Sequence, residues 1–168
     1  MRQEKSEMAE ITYTGTIISE TDKNGIITMA NDVFQEVAGY TESELVGANH
    51  NIVRHDDMPR ACFKLVWDTI KTGKEIRAYV INKAKNGDHY WVLAHITPTA
   101  DGYHAERSAP NPAVINDVVA PLYKQMRDIE KGMNCSNESM EKSTQVLLDV
   151  LTEKGLSYDE LINALSRM

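Results

Sequence analysis

The sequence contains only two cysteines, two phenylalanines and two tryptophans. Cys62 and Cys135 lie far apart and lack the spacing of a metal-ligand set, so neither a disulfide framework nor a zinc site is predicted, and we expect a structural role for Cys62. Apolar runs such as residues 146–148 fall far short of the roughly 20 residues that cross a bilayer, and residues 1–5 lack an apolar signal core. We therefore expect a cytoplasmic protein.

Basic residues are also scarce. The chain has 18 Lys and Arg against 25 Asp and Glu, with a net charge of −7 and a pI near 5.2. Nucleic-acid binders usually carry a basic patch that replaces phosphate counterions, so binding of nucleic acid is not expected. A hydrophobic content of 42% is that of a folded protein, and 168 residues leave room for one domain and an appendage.

Three glycine-containing turns organise the β-branched segments. Residues 24–25 and 86–87 are Asn-Gly pairs, which supply the positive φ angles of a tight hairpin, and residues 101–102 are an Asp-Gly turn. The strands predicted around these turns are residues 16–19, 26–29, 76–83, 89–97 and 103–107.

The strand predicted at residues 89–97 has two different faces. Alternation puts one apolar set on the better core face: Tyr90, Val92, Ala94 and Ile96. Trp91 falls on the opposite face, with His89, Leu93 and His95. We expect Trp91 to pack against a flanking helix or a partner subunit.

Short helices are predicted between the two hairpins. Asn31 is placed to cap the first, and Asp57 is placed to cap a longer helix that has Pro59 in its first turn and ends at Thr72. Apolar residues in this longer helix recur at spacings of three and four, which predicts one buried stripe facing a core or a ligand. The stripe consists of Phe63, Val66, Trp67 and Ile70.

The element order predicts an α+β fold: an antiparallel sheet with helices packed on one face, followed by a C-terminal helical tail. Residues 1–12 are assigned to an N-terminal arm or cap, residues 13–110 to the sheet domain, and residues 111–168 to the tail. Pro121 is expected to kink or break the tail. The sequence has no convincing catalytic triad, paired carboxylates, phosphate-binding loop or HExxH pattern, so an enzyme is not predicted.

This order of elements resembles the PAS domain, and two motifs carry a closer resemblance. Residues 49–59 (NHNIVRHDDMP), followed by Trp67, and residues 85–92 (KNGDHYWV) resemble the PAS domain of Aer-type energy-taxis (aerotaxis) receptors, which bind FAD. The resemblance covers residues 13–126. Residues 153–160 (EKGLSYDE) resemble the CetB group, soluble PAS proteins that work with a separate membrane-bound signalling partner.

The resemblance implies a flavin site. A flavin requires a flat apolar slot for its ring, amide groups for the ring's donors and acceptors, and positive charge near its pyrophosphate. Phe63 and Trp67 could form the slot, Asn82 could supply the amide, and Arg54 with His55 could supply the charge. The family's flavin-site residues fall on Asn31, Arg54, His55, Asp57, Phe63, Trp67, Asn82 and Tyr90.

Six of these eight positions also have a purely structural explanation. The apolar stripe on the long helix fits an ordinary core, Asn31 fits a helix cap, and Asn82 could satisfy backbone groups at a strand end. Arg54 and Asp57 could form a local ion pair. His50 occupies the place where PAS photosensors of the light-oxygen-voltage type carry the adduct-forming cysteine, so blue-light adduct chemistry is not expected.

Three functions remain open from the sequence. The resemblance implies a cytoplasmic redox or energy-state sensor in which FAD reports and the tail signals to a membrane-bound chemotaxis transducer. A haem-binding gas sensor would use His50 or His55 as the axial ligand. A cofactor-free PAS module would act as an adaptor or homodimer through Trp91, Leu93 and the terminal helices. An absorption spectrum separates the first two functions, because an oxidised flavin is yellow and a haem has an intense Soret band. A colourless protein that still binds its receptor would favour the third.

Overall fold

The computed structural model describes residues 9–168, whose five strands form one antiparallel sheet in the order β2-β1-β5-β4-β3. The strands are β1 (Ile17–Asp22), β2 (Ile27–Ala30), β3 (Ile76–Lys83), β4 (His89–Pro98) and β5 (Gly102–Ser108). Each strand overlaps the segment that the turn pattern predicted. The predicted antiparallel sheet is confirmed.

The first hairpin shows why the Asn-Gly pattern fixes strand positions. Gly25 has a φ of 83°, a left-handed conformation that other residues rarely adopt. Asp22 closes the turn, because its Oδ1 accepts the N–H groups of Asn24 at 2.8 Å and Ile26 at 3.0 Å. This turn brings β1 and β2 into an antiparallel pair, with one irregularity between Glu20 and Thr21.

The helices follow the predicted order. They are α1 (Asp32–Ala38), α2 (Glu42–Leu45), α3 (Arg60–Lys71), α4 (Pro112–Val114), α5 (Ala120–Gly132), α6 (Asn137–Lys154) and α7 (Tyr158–Ser166), with a 3-10 turn at His50–Val53. Asn31 caps α1 as predicted, since its Oδ1 accepts the Phe34 N–H at 3.0 Å.

The cap predicted at the start of the long helix is wrong. Helix α3 begins at Arg60, after Pro59, and exposed Asp57 makes no capping hydrogen bond to it. Instead, the carboxylate of Glu130 on α5 accepts the N–H groups of Arg60 at 2.7 Å and Ala61 at 3.2 Å. The first-turn donors of a helix need acceptors from any source, and here the acceptor comes from a distant part of the chain.

The break predicted at Pro121 does not occur. Helix α4, a π-helical segment at Ile115–Val119 and α5 follow one another without a gap. Pro121 lies in the first turn of α5, directly after the wider π turn. The π turn shifts the hydrogen-bond pattern at the place where proline lacks an N–H, so the helix continues.

The C-terminal helices cover the second face of the sheet. Trp91, 9% exposed, packs against Tyr123 of α5 with ring centroids 5.9 Å apart, so its flanking partner is a helix of the same chain. Two tail tyrosines also bond the edge strand β3: Tyr123 Oη donates to the Tyr79 carbonyl oxygen at 2.6 Å and Tyr158 Oη donates to that of Arg77 at 3.0 Å. These bonds satisfy edge carbonyl groups that would otherwise face solvent.

The predicted N-terminal arm lies mainly outside the described residues. Of its part that the structure describes, the Ile11 N–H donates to the His89 carbonyl oxygen at 2.7 Å, and the His89 N–H donates to that of Ala9 at 3.1 Å. This segment therefore joins the start of β4. Within residues 9–168 no helix combines the length and the apolarity needed to cross a membrane.

Candidate functional site

A cavity of about 380 Å³ lies between α3, the loop before it and the first face of the sheet. Its volume is in the range of cofactor and small-molecule sites. Apolar side chains form most of the wall: Met58, Phe63, Val66, Trp67, Ile70, Val80, Ala94, Ile96, Tyr103 and Ala105. Asn49, Asn51 and Asn82 contribute amide groups.

The apolar stripe of α3 forms one wall. Phe63 and Trp67 both line the cavity, as the stripe predicted for a core or a ligand. The Trp67 ring meets the edge of Tyr103, with centroids 5.7 Å apart and planes at 87°. It also lies against the first hairpin, since a Cβ built on Gly25 would be 3.2 Å from Trp67 Cη2. The contact with Tyr103 and the absence of a side chain on Gly25 therefore fix the Trp67 ring at one end of the cavity.

Asn82 lies on the opposite wall, on β3, and is 5% exposed. It pairs across the sheet with Tyr90 on β4, so the two side chains are neighbours on the same face. Tyr90 is fully buried beside the cavity without lining it, and burial raises the pKa of its hydroxyl. Within residues 9–168, Tyr90 Oη makes no hydrogen bond that meets normal geometry. A polar atom left in this state marks a site that ligand or solvent can complete.

Arg54 lines the cavity at the end of the 3-10 turn and is exposed. Its guanidinium carbon lies 4.6 Å from the centroid of the Phe63 ring, a cation–π distance. The backbones of Arg54 and Asn82 also form an isolated antiparallel bridge, which joins the loop to β3. This placement puts a positive charge next to the aromatic slot.

The suggested ion pair between Arg54 and Asp57 is absent from the described residues. Asp57 Oδ2 lies 3.9 Å from His55 Nδ1, and Asp57 Oδ1 lies 3.9 Å from Lys131 Nζ. Neither His55 nor Asp57 lines the cavity, although Arg54 before them and Met58 after them do. Burial lowers the pKa of His55, against the opposing effect of Asp57.

Asn31 also lies outside the cavity wall. Besides capping α1, its Oδ1 accepts the Ile18 N–H at 3.0 Å and its Nδ2 donates to the Thr16 carbonyl oxygen at 2.9 Å. These bonds use the amide to join α1 to β1. Of the eight predicted residues, the structure brings together Arg54, Phe63, Trp67 and Asn82 on the cavity wall and leaves Asn31, His55, Asp57 and Tyr90 outside it.

Three residues that sequence reasoning did not assign to the flavin site form a polar cluster on the cavity wall. Arg107 on β5 is 7% exposed, and it donates from Nη1 to Ser19 Oγ and from Nη2 to His50 Nε2, both at 2.9 Å. Ser19 Oγ lies 3.1 Å from the same His50 nitrogen. Because a guanidinium only donates, His50 Nε2 is an acceptor and the ring is neutral with its proton on Nδ1.

Burial sets the charge states of this cluster. It lowers the pKa of His50 to about 3, with Arg107 acting in the same direction, so the ring stays neutral at physiological pH. Burial also lowers the pKa of Arg107 to about 10, which still leaves the guanidinium charged. The sequence held one signal for Arg107, namely its alternation onto the core face of β5 with Tyr103 and Ala105.

The cavity is positive although the chain is acidic. Its wall, drawn from residues 9–168, carries Arg54, Lys64 and Arg107 and no carboxylate. No salt bridge joins Arg107 to an Asp or Glu in this described part of the chain. A buried charge without a counterion is costly, so the cavity is suited to a ligand that brings negative charge or strong acceptors.

The comparisons with known proteins agree with this fold. Residues 27–107 match the family model described as PAS fold. The chain is 43% identical over 129 residues to the aerotaxis receptor of Escherichia coli (strain K12), covering 70% of this chain and 25% of that protein. It is 33% identical over 81 residues to the nitrogen fixation regulatory protein of Klebsiella pneumoniae, covering 48% of this chain and 16% of that one.

Solved structures agree on the fold. A light-oxygen-voltage domain studied with a flavin analogue has a TM-score of 0.55 at 18% identity and covers 64% of this chain and 85% of its own. The Aureochrome1 light-oxygen-voltage domain gives 0.55 at 16% identity, covering 64% and 90%. Residues 27–107 therefore form a PAS domain, and the predicted α+β PAS fold is confirmed. This PAS domain is of the aerotaxis-receptor type, and the chain spans about a quarter of that receptor's length.

Proposed function

We propose that this PAS domain binds FAD and senses redox or energy state. The observation that carries the proposal is the cavity, in which an aromatic wall faces a buried amide and two arginines lie next to both. The relation to an aerotaxis receptor and the likeness to a domain studied with a flavin analogue support the choice of cofactor.

The residues present fit an isoalloxazine and its ribityl-phosphate extension. The stripe of Phe63 and Trp67 offers a flat apolar surface, and Asn82 offers a donor and an acceptor for the ring edge. Arg107 would donate to a ring carbonyl oxygen from the buried cluster, and Arg54 would meet the phosphates where the cavity opens. FAD, when bound, would supply the reversible uptake of electrons on which sensing depends.

The other four predicted residues act indirectly in this proposal. Asn31 holds α1 against β1, and His55 with Asp57 shapes the loop before α3. Tyr90 lies beside Asn82, so its unpaired hydroxyl is placed to orient the Asn82 amide when the ligand is bound. A change in hydrogen bonding at Asn82 would then bias the sheet and α3 between two arrangements.

We further propose that the output is taxis through a membrane-bound chemotaxis signal transducer contacted by the C-terminal helices, with the protein in the cytoplasm. The relation to the aerotaxis receptor supports this. The C-terminal helices are suited to relay a signal, since α5 contacts both the outer sheet face and the start of α3.

The absorption spectrum of freshly purified protein, followed by titration with FAD, tests the proposal. We expect the spectrum of an oxidised flavin and stoichiometric uptake of FAD. Trp67→Phe should weaken FAD affinity at least fivefold, whereas Trp91→Phe on the other sheet face should leave it within twofold. Loss of taxis in Trp67→Ala or Asn82→Leu cells with folded protein would support the output role.

The competing functions are alternative outcomes of the same measurement. A Soret band would identify haem, although His50 Nε2 already bonds Arg107 and His55 lies outside the cavity. A colourless protein that takes up no FAD but still binds its receptor would identify an adaptor. Either result would refute the flavin proposal.

A further inference from the structure

Glu130 is a fully buried carboxylate that the cavity does not use. It lies near the end of α5 and receives hydrogen bonds from α3, from α6 and from its own helix. Oε1 accepts the Arg60 N–H at 2.7 Å and Arg127 Nη1 at 3.3 Å. Oε2 accepts the Ala61 N–H at 3.2 Å and Ser143 Oγ–H at 2.7 Å. One side chain thus joins α3, α5 and α6.

The bond to α3 acts on the cavity wall. Arg60 and Ala61 open the helix whose next turns carry Phe63 and Trp67. A helix transmits displacement along its axis because its backbone bonds keep the turns rigid. A carboxylate at the N-terminus is also favourable for the helix dipole, so α3 is most stable where Glu130 holds it. A displacement of this cavity wall therefore moves the start of α3 relative to Glu130 and disturbs the hydrogen bonds between them.

The hydrogen bond between Glu130 and α6 helps to hold the C-terminal helices over the second, outer face of the sheet. Ser143 is fully buried and donates to Glu130. Helix α6 leads through Gly155, which has a φ of 65°, into α7, whose Leu161, Ile162 and Leu165 are buried in the same cluster as Tyr79 and Trp91. Release of α6 would therefore uncover an apolar sheet face.

The connection between α5 and α6 is strained. Asn134 and Cys135 both have left-handed conformations, with φ of 55° and 52°, and neither is glycine. Such a conformation costs free energy at each residue with a Cβ, so the turn persists only because packing and the Glu130 bonds outweigh the strain. Opening would relieve it. The hydrogen bonds of Glu130 hold the closed arrangement, and the strained turn between α5 and α6 opposes it. A two-state element requires two such opposing contributions.

We propose that Glu130 is a latch that couples the cavity to the C-terminal helices: movement of α3 weakens its hold on Glu130 and releases α6 and α7 from the outer sheet face. That a cofactor controls this release rests on the proposed function. The coupling of α3 to α6 through Glu130 does not depend on it. Uncovered Tyr79, Ile81 and Trp91 would then offer an apolar surface to an amphipathic helix of a signalling partner, in place of α7.

Hydrogen exchange of the full chain without added cofactor tests the latch. Glu130→Gln keeps the shape but sets an amide NH₂ against backbone N–H donors. We expect exchange at least tenfold faster in α6, α7 and the first turn of α3, with the β1–β2 hairpin unchanged. Glu153→Gln, an exposed change on α6, should alter nothing. Unchanged α6 and α7, or equal acceleration in every element, would overturn the latch.

Ser143→Ala separates the two arms of the latch. It removes the α6 bond and leaves the bonds to Arg60 and Ala61. We expect faster exchange in α6 and α7 while the first turn of α3 keeps wild-type protection. Acceleration of α3 to the same degree as α6 would show that Glu130 supports general stability and would overturn its role as a junction.

Coupling to the cavity is tested by adding FAD. In the wild type we expect FAD to slow exchange in α6 and α7 at least threefold, and in Glu130→Gln to change it by less than twofold. By linkage, a threefold decrease in opening on saturation with FAD means that the open state binds FAD threefold more weakly than the closed state. FAD binding without any response in wild-type α6 and α7 would refute the coupling and leave the flavin proposal intact.

If no FAD binds, the flavin proposal fails but the coupling is still tested. Trp67→Ala then perturbs the cavity wall directly. Exchange in α6 and α7 that changes at least threefold in Trp67→Ala, and less than twofold when Glu130→Gln is already present, supports the latch. Equal effects in both backgrounds would overturn it.

Discussion

Arg107 donates a hydrogen bond of 2.9 Å to His50 Nε2 on the cavity wall, and this contact fixes the tautomer of the His50 ring. The guanidinium keeps its proton while the imidazole stays neutral. A charged donor and an oriented ring therefore lie next to the aromatic wall, and the first two predictions concern them.

The first prediction concerns acid stability. Burial lowers the pKa of His50 from 6.5 to about 3, so between these values the unfolded chain binds a proton that the folded chain does not. The stability linked to His50 is complete above pH 6.5 and is lost as pH falls. We expect His50→Gln to flatten the decline in unfolding free energy between pH 6 and 4, by at most about 1.4 kcal/mol per pH unit, and by less where cavity water screens the ring.

His104→Gln is the matched control, because the shift there has the opposite sign. Burial lowers the pKa of His104, but the hydrogen bonds to Glu20 and Glu106 outweigh this effect, so the pKa is raised. Its stabilisation is present at low pH and is lost as pH rises, so His104→Gln should destabilise the protein mainly in acid. Chemical denaturation at a series of pH values measures both. Parallel curves for His50→Gln and the wild type would contradict the assigned burial.

The second prediction separates binding from stability at Arg107. Arg107→Met removes a buried charge that has no carboxylate partner in the described chain, so the unfolding free energy should fall by less than about 1 kcal/mol or rise. Affinity for FAD should fall at least tenfold, because a charge-assisted donor to the ligand is lost. Arg77→Met, at an exposed side chain of β3, should change neither quantity. Unchanged FAD affinity in Arg107→Met would remove Arg107 from the site.

The third prediction uses two glycines with similar backbone and different surroundings. Gly25 and Gly47 have φ of 83° and 92°, so alanine at either should cost about 1 to 2 kcal/mol through backbone strain. A Cβ at Gly25 would also press on Trp67, whereas nothing lies within 4 Å at Gly47. We expect weaker FAD binding, by at least threefold, in Gly25→Ala alone. Equal binding by the two variants would show that Trp67 does not shape the ligand site.

The fourth prediction concerns the hold of the tail on β3. Tyr123→Phe removes a buried 2.6 Å bond to the Tyr79 carbonyl oxygen and should lower the unfolding free energy by about 1 to 2 kcal/mol. Tyr158→Phe removes a more exposed bond to the Arg77 carbonyl oxygen and should cost about 0.5 kcal/mol or less. Urea denaturation of both variants measures the difference. The reverse order would contradict the burial of Tyr123.

The fifth prediction concerns the boundary placed after residue 110. A fragment without residues 111–168 would expose Tyr79, Ile81 and Trp91, which the C-terminal helices cover. We expect this fragment to aggregate or to bind a hydrophobic dye, unlike the full chain, because a contiguous apolar sheet face is unstable in water. Light scattering of equal concentrations compares them. A monodisperse fragment with wild-type stability would show that the tail is a separate unit.

Local patterns were sufficient for the elements themselves. Asn24-Gly25 and Asn86-Gly87 placed both hairpins because their positive φ angles come from the residues alone. Asn31 capped α1 as predicted, since the acceptor and donor are three residues apart. The apolar stripe with Phe63 and Trp67 could also be predicted, because helical spacing puts its members on one side of α3 whatever that side contacts.

Contacts between residues far apart in the sequence could not be predicted. Asp57 was chosen as the α3 cap because it lies nearby, whereas Glu130 supplies the acceptor from 69 and 70 residues away. Arg107 looked like one more charged residue on a strand, and the sequence does not show that β1 and the polar loop place Ser19 and His50 against it. No local spacing encodes which strands become neighbours.

The sequence by itself determined where the chain turns, which residues form strands and helices, and which face of each is apolar, because these depend on backbone conformation and side-chain periodicity over a few residues. Only the tertiary structure decided that the tail covers the second sheet face, that Glu130 holds α3, and that an acidic chain encloses a positive cavity. Those outcomes depend on which buried polar groups meet once water is excluded, and that is settled by packing across the whole sheet.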